Sequence, residues 1–229
     1  MMGSGGLRRL GIVRLYGVPS MAFKRLMMCF AMLVFAATAA RAEPLSIVGF
    51  GDSLMAGYQL GPEEGFTPRL EAALKDAGID AAVTNAGVSG DTTSGGLARL
   101  DWSVPDGTDL VILELGANDA LRGIAPDITR ANLEVMIERL KERGIAVLLA
   151  GMLAPPNMGG DYGKAFNAIY PELAEKYGIP LYPFFLDGVA AQQGLLLDDA
   201  MHPNTAGIDV MVERFMPVLR DTIAGLKEG

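Results

Sequence analysis

Short apolar runs alternate with stretches of helical periodicity from residue 45 almost to the last residue, and glycines sit at the junctions. No other feature of the chain narrows the fold as far. Leu45–Gly51 (LSIVGFG) is short, apolar and closed by glycine, which predicts a buried strand. Pro68–Ala77 has helical spacing and stops at Gly78, and Ala82–Ala86 is a second strand candidate. Asp109–Leu115 (DLVILEL) is the clearest strand. Ile128–Arg143 is amphipathic, with Leu133, Ile137 and Leu140 on one face and Glu138, Lys141 and Glu142 on another. Ile145–Ala150 predicts a further strand, Lys164–Tyr177 a helix, Pro180–Phe185 a short strand and Thr205–Leu226 a closing helix. Strands interleaved with helices build a parallel sheet covered on both faces. About five of them with right-handed crossovers predict a three-layer α/β/α, flavodoxin-like, doubly wound fold. Ligands in such sheets sit outside the carboxyl ends of the strands, so the functional residues are expected there.

Residues 1–42 read differently. Lys24 and Arg25 form a short basic stretch, an apolar run follows from Leu26 to Ala40, and Ala40-Arg41-Ala42 is a small-x-small site before Glu43. That order is the pattern of a secretory signal peptide, and the run is shorter than the roughly 20 apolar residues of a membrane span. Met21 is an alternative initiator, and Arg8-Arg9 gives only weak support for a twin-arginine signal. Residues 43–229 then form a single domain, secreted and expected to be periplasmic, with no stable membrane insertion after cleavage. The only cysteine, Cys29, leaves with the leader, and no small residue precedes it as a lipidation site would require. Six of the 19 Lys+Arg and none of the 27 Asp+Glu precede Glu43, leaving thirteen against 27, a net charge of −14 with His202 neutral. Such a surface repels nucleic acid, and no basic patch argues otherwise.

Four strand ends carry polar or glycine positions. The first runs into Gly51-Asp52-Ser53-Leu54, the second into Asn85-Ala-Gly87-Val-Ser-Gly90-Asp91-Thr92, and the third into Gly116-Ala-Asn118-Asp119. Beyond the last stands Asp198-Asp199-Ala-Met-His202-Pro203, with the only histidine of the chain. These residue types suit acyl transfer. A serine needs a base to take its proton, and histidine is the usual one. The imidazole needs a carboxylate to fix its tautomer, and Asp199 lies three residues before His202. Pro203 disfavours helix at His202, so a turn there brings the carboxylate to the ring. The oxyanion needs donors: the Ser53 and Gly90 N–H groups and the Asn118 amide are available. Singly, each residue has an ordinary role as turn former, helix cap or surface side chain. Asp52 is read as supporting the turn rather than as a third catalytic carboxylate.

The blocks GDSL (51–54), NAGVSGDT (85–92), GAND (116–119) and DAMHP (199–203), in this order, resemble the SGNH, or GDSL, hydrolase superfamily. ILELGAND (112–119), GLARL (96–100), AIYPELAEKYGIP (168–180) and YPFF (182–185) are similar to its bacterial periplasmic arylesterase, thioesterase I and lysophospholipase group. The resemblance covers nearly all of residues 43–229. It implies Ser53 as nucleophile, His202 as base, Asp199 as its orienter, and Ser53, Gly90 and Asn118 as the oxyanion hole. It also implies a small-molecule acyl ester or thioester partner of lipid-like character and no cofactor. The expected state is a monomer or weak oligomer. Ala117 stands where some members have glycine, beside the oxyanion residue. Met152–Pro156 and Ile124 are candidates for an acyl groove. The same triad with a polar pocket would suit a carbohydrate O-acetyl esterase instead, and a non-catalytic binding protein on this fold is the other alternative.

Two further classes find little support. Gly49-Phe-Gly51-Asp-Ser-Leu54 lacks the third glycine of a dinucleotide fingerprint. A metal site would have to be built from carboxylates at spacings that suggest no cage.

Overall fold

The computed structural model describes residues 43–226, and the leader reading falls outside them. Five strands form one fully parallel sheet in the order β2-β1-β3-β4-β5: β1 Leu45–Gly51, β2 Ala81–Gly87, β3 Leu110–Glu114, β4 Ala146–Ala150 and β5 Leu181–Tyr182. This is the flavodoxin-like order, with its topological switch between β1 and β3. β3 is buried at all five positions and β1 at its last five, as expected for strands covered on both faces.

The eight α-helices among the described residues are α1 Ser53–Ala56, α2 Phe66–Asp76, α3 Thr93–Ser103, α4 Ala117–Leu121, α5 Pro126–Glu142, α6 Gly160–Asn167, α7 Ile169–Tyr177 and α8 Thr205–Leu226. α2 packs on α8, whereas α5 packs on α3 and α7. Phe66, Tyr182, Phe185 and Phe215 meet edge to face in the α2–α8 layer, with Phe66 and Phe215 centroids 5.3 Å apart. α8 continues through Pro217, whose missing N–H costs one helical bond, because it buries Ile208, Met211, Phe215, Leu219 and Ile223 along one stripe. Among the described residues, all five strands and every buried apolar side chain fall between Leu45 and Ile223.

Besides the short helices α1 and α4, which the sequence reading does not contain, three elements differ from it. Lys164–Tyr177 is not one helix: α6 and α7 are separated at Ala168, because Pro171 cannot donate to the Asn167 carbonyl and disfavours continuous helix before it. The strand expected over Pro180–Phe185 shrinks to Leu181–Tyr182, since Pro180 and Pro183 remove a ladder donor on either side. α3 has no strong sequence signal, because Gly95 and Gly96 interrupt it. The Thr92 hydroxyl caps it by accepting from Gly95 N at 3.3 Å, and a Cβ at Gly96 would collide with the Leu115 side chain. The glycine therefore lets α3 lie close against the sheet.

Candidate active site

The end of β1 delivers Ser53 as the first residue of α1. Asp52 caps that helix, its Oδ1 accepting from Leu54 N at 3.0 Å. The turn is tight because two strand ends are glycine. A Cβ on Gly51 would lie 2.6 Å from the Glu114 carbonyl oxygen, and one on Gly87 would enter the Ala56 backbone. Glycine at 51 and 87 thus lets β1, β2 and β3 converge under the helix that carries Ser53.

His202 arrives from a different direction. Leu196 and Pro203 form an antiparallel bridge, and Leu197 N donates to the His202 carbonyl at 2.8 Å, closing a tight loop. Inside it Ala200 adopts φ +56°, and Asp199 Oδ1 accepts from Met201 N at 2.9 Å and His202 N at 3.0 Å. This is an Asx turn. It leaves Asp199 Oδ2 2.6 Å from His202 Nδ1, while His202 Nε2 lies 2.8 Å from Ser53 Oγ. The His202 backbone N–H is the main cause that holds the Asp199 carboxyl down to about 2, so the carboxylate is charged across the neutral range. The Tyr58 ring lies against the imidazole with centroids 4.5 Å apart.

Gly90 and Asn118 complete the set. Gly90 has φ +85°, a conformation that suits glycine, and its carbonyl accepts from Arg122 at 2.7 Å. Asn118 Nδ2 donates to Asp52 Oδ2 at 3.1 Å, which orients the amide and leaves its second N–H free to point elsewhere. Ser53, Gly90, Asn118 and His202 all line one cavity of ≈ 650 Å³, and most of its remaining wall is apolar. Met152, Leu153, Ala154, Pro155 and Pro156 belong to that wall, as does Ala117. Ile124 does not: it is half-buried away from the cavity, and its carbonyl accepts from Tyr162.

Beneath these groups lies a polar layer that sequence reasoning largely missed. Arg99 is buried in α3. It donates to the Gly51 carbonyl at 2.8 Å, the Ala86 carbonyl at 2.8 Å and Asp91 Oδ2 at 2.5 Å, and it stacks 4.1 Å from the Phe50 ring centroid. One guanidinium thus ties together the ends of β1 and β2 and the segment after Gly90. Asp119 is fully buried and accepts from Thr93 N and Oγ1 and from Thr129 Oγ1, joining the starts of α3, α4 and α5. Asp52 and Glu114 form a buried carboxyl pair; burial pushes Asp52 up to about 6 and Glu114 well above its ordinary value. Arg99 stood in the GLARL block, but nothing in that motif says its side chain turns inward. Among the described residues no cluster of three or more His, Cys, Asp and Glu is placed to hold a metal ion.

The GDSL-like Lipase/Acylhydrolase family matches residues 50–210, a span that contains every residue above. The chain belongs to this family of SGNH (GDSL) hydrolases. Among relatives, an arylesterase of Vibrio mimicus is 42% identical over 75% of this chain and 86% of its own. Thioesterase 1/protease 1/lysophospholipase L1 of Escherichia coli K12 is 36% identical over 72% of this chain and 78% of its own. The crystal structure of AlinE4, an SGNH-hydrolase family esterase, superposes with a TM-score of 0.67 at 45% identity, covering 80% of this chain and 98% of that one. The SGNH fold is therefore the fold of this chain, and its four blocks converge on the cavity described above.

Proposed function

We propose that the protein is a secreted, periplasmic serine hydrolase that cleaves carboxylic acyl esters and thioesters through an acyl-enzyme. The observation that carries this reading is the relay from Asp199 Oδ2 to His202 Nδ1 at 2.6 Å and from His202 Nε2 to Ser53 Oγ at 2.8 Å. Ser53 Oγ attacks the acyl carbonyl carbon while His202 Nε2 takes its proton. The new C–O bond places negative charge on the carbonyl oxygen, which accepts from the Ser53 and Gly90 N–H groups and the Asn118 amide. The intermediate collapses, the bond to the alcohol or thiol breaks, and His202 returns the proton to the leaving group. A water then gives its proton to His202 and attacks the acyl-enzyme, releasing the carboxylic acid and restoring Ser53. The Asp199 carboxylate fixes the imidazole tautomer and stabilises the imidazolium in both halves.

The apolar wall of the cavity supports lipid-like acyl chains, and so does the lysophospholipase in the name of the Escherichia coli relative, while the Vibrio mimicus relative's name, arylesterase, supports ester cleavage. Residues 1–42 act as a cleaved signal peptide in this reading, and residues 43–229 are the single mature domain, a monomer or weak oligomer. The test is hydrolysis of p-nitrophenyl acetate, butyrate, octanoate and palmitate by residues 43–229 beside Ser53→Ala. Turnover that rises with medium chains and disappears in Ser53→Ala is the expected result. Turnover confined to acetate would indicate a carbohydrate O-acetyl esterase, and none on any ester would overturn the reading.

A further inference from the structure

From the arrangement of exposed apolar side chains we infer that the rim of the Ser53 cavity seats the protein, mouth down, on a lipid surface of zwitterionic headgroups. Seven large apolar side chains are exposed among the described residues, and four of them, Tyr58, Leu121, Leu153 and Met201, line this one cavity. A fifth, Val88, is next to the lining residue Ser89. Their exposures run from 38% to 54%. Scattered surface leucines need no explanation, but apolar groups gathered round a single opening mark a contact surface.

The five come from five separate segments: the turn after α1, the loop from β2 to α3, the last residue of α4, the loop after β4, and the loop carrying His202. Separate segments thus bring exposed apolar side chains to one cavity, and four of the five are continuous with the apolar wall inside. A second copy of the chain seated here would close the entrance to Ser53. Two copies of residues 43–229, each of net charge −14, would also repel each other. A lipid surface suits the rim instead, because an acyl chain leaving it passes from one apolar medium into another without crossing water. The charge decides which surface. Asp198 and Asp199 stand beside Met201, and residues 43–229 carry 27 Asp+Glu against thirteen Lys+Arg, so anionic headgroups are disfavoured even with Arg122 near the rim.

This inference rests on the proposed lipid-like substrate, and its test reads binding rather than turnover. Residues 43–229 carrying Ser53→Ala are floated with phosphatidylcholine vesicles and with vesicles containing phosphatidylglycerol. The protein is expected to float with phosphatidylcholine and to bind the anionic vesicles less. Val88→Glu, Leu121→Glu and Met201→Glu together should lower the bound fraction about tenfold or more, with circular dichroism unchanged. Trp102→Glu, exposed on α3 outside the rim, should leave it unchanged. No binding to phosphatidylcholine, preference for the anionic vesicles, or an equal loss from Trp102→Glu would overturn the inference. So would a dimer by light scattering that the rim variants break. Ser53-bearing protein that cleaves p-nitrophenyl butyrate but ignores vesicles keeps the esterase and discards the surface. Vesicle binding without any ester hydrolysis does the reverse.

Discussion

The carboxyl edge of the sheet and the aromatic layer between α2 and α8 are both buried, yet they are built on opposite principles. In the aromatic layer Phe66, Tyr182, Phe185 and Phe215 interlock edge to face. At the carboxyl edge the buried groups are Asp52, Arg99, Glu114 and Asp119. Burying such groups is costly unless every one is satisfied, and it contributes little net stability even then. What the edge gains is fixed geometry: glycine corners, one guanidinium on three acceptors, and an amide held by Asp52. The aromatic layer, with the rest of the apolar core, therefore contributes stability, and on the proposed mechanism the edge contributes reactivity.

The sharpest way to break this contrast is His202→Ala. On the proposed mechanism kcat should fall by roughly 10^5–10^6, as losses of triad members do, with the thermal midpoint unchanged. A midpoint shifted by many degrees would place His202 among the stabilising groups. The converse substitution is Phe215→Ala, fully buried and in contact with three rings. It should cost about 3–5 kcal/mol in denaturant unfolding while kcat, measured where the variant remains folded, stays near that of the parent.

A narrower probe is Asn118→Ala, which should lower kcat by about 10^2–10^3 and move KM little, since the amide is assigned to the transition state alone. A rise in KM with kcat preserved would assign it to ground-state binding. The smallest effect concerns Asp52. Burial raises its pKa from 3.8 to about 6, so the folded state binds the extra proton and stability falls as pH rises between those values. Asp52→Asn removes that decline, and urea midpoints measured from pH 3.5 to 7 should show a flatter curve. Asp199 has the opposite sign: its stabilisation is present above 3.8 and is lost as pH falls toward about 2.

The two regions also differed in how far the sequence disclosed them. The alternation of strands and helices and the length of α8 follow from hydrophobic period, and the grouping of Ser53, Gly90, Asn118 and His202 from the motif blocks at strand ends and the family resemblance they carry. Those signals are local. The inward turn of Arg99, the Thr93–Asp119 contact and the pairing of Asp52 with Glu114 join residues between 26 and 62 positions apart, and no periodicity encodes them. The amphipathic pattern runs through Ala168 and predicts one helix over α6 and α7, whereas Pro171 decides the break. Ile124 is a groove candidate in the sequence, close after the GAND block, but it does not line the cavity. Its carbonyl instead anchors Tyr162.

The proposal that one serine is activated by one histidine is tested most directly by covalent labelling. Residues 43–229 treated with a fluorophosphonate should gain a single adduct, and peptide mass spectrometry should locate it on Ser53. His202→Ala should label far more slowly under the same conditions. Absence of an adduct, an adduct on another residue, or equal labelling without His202 would contradict the account.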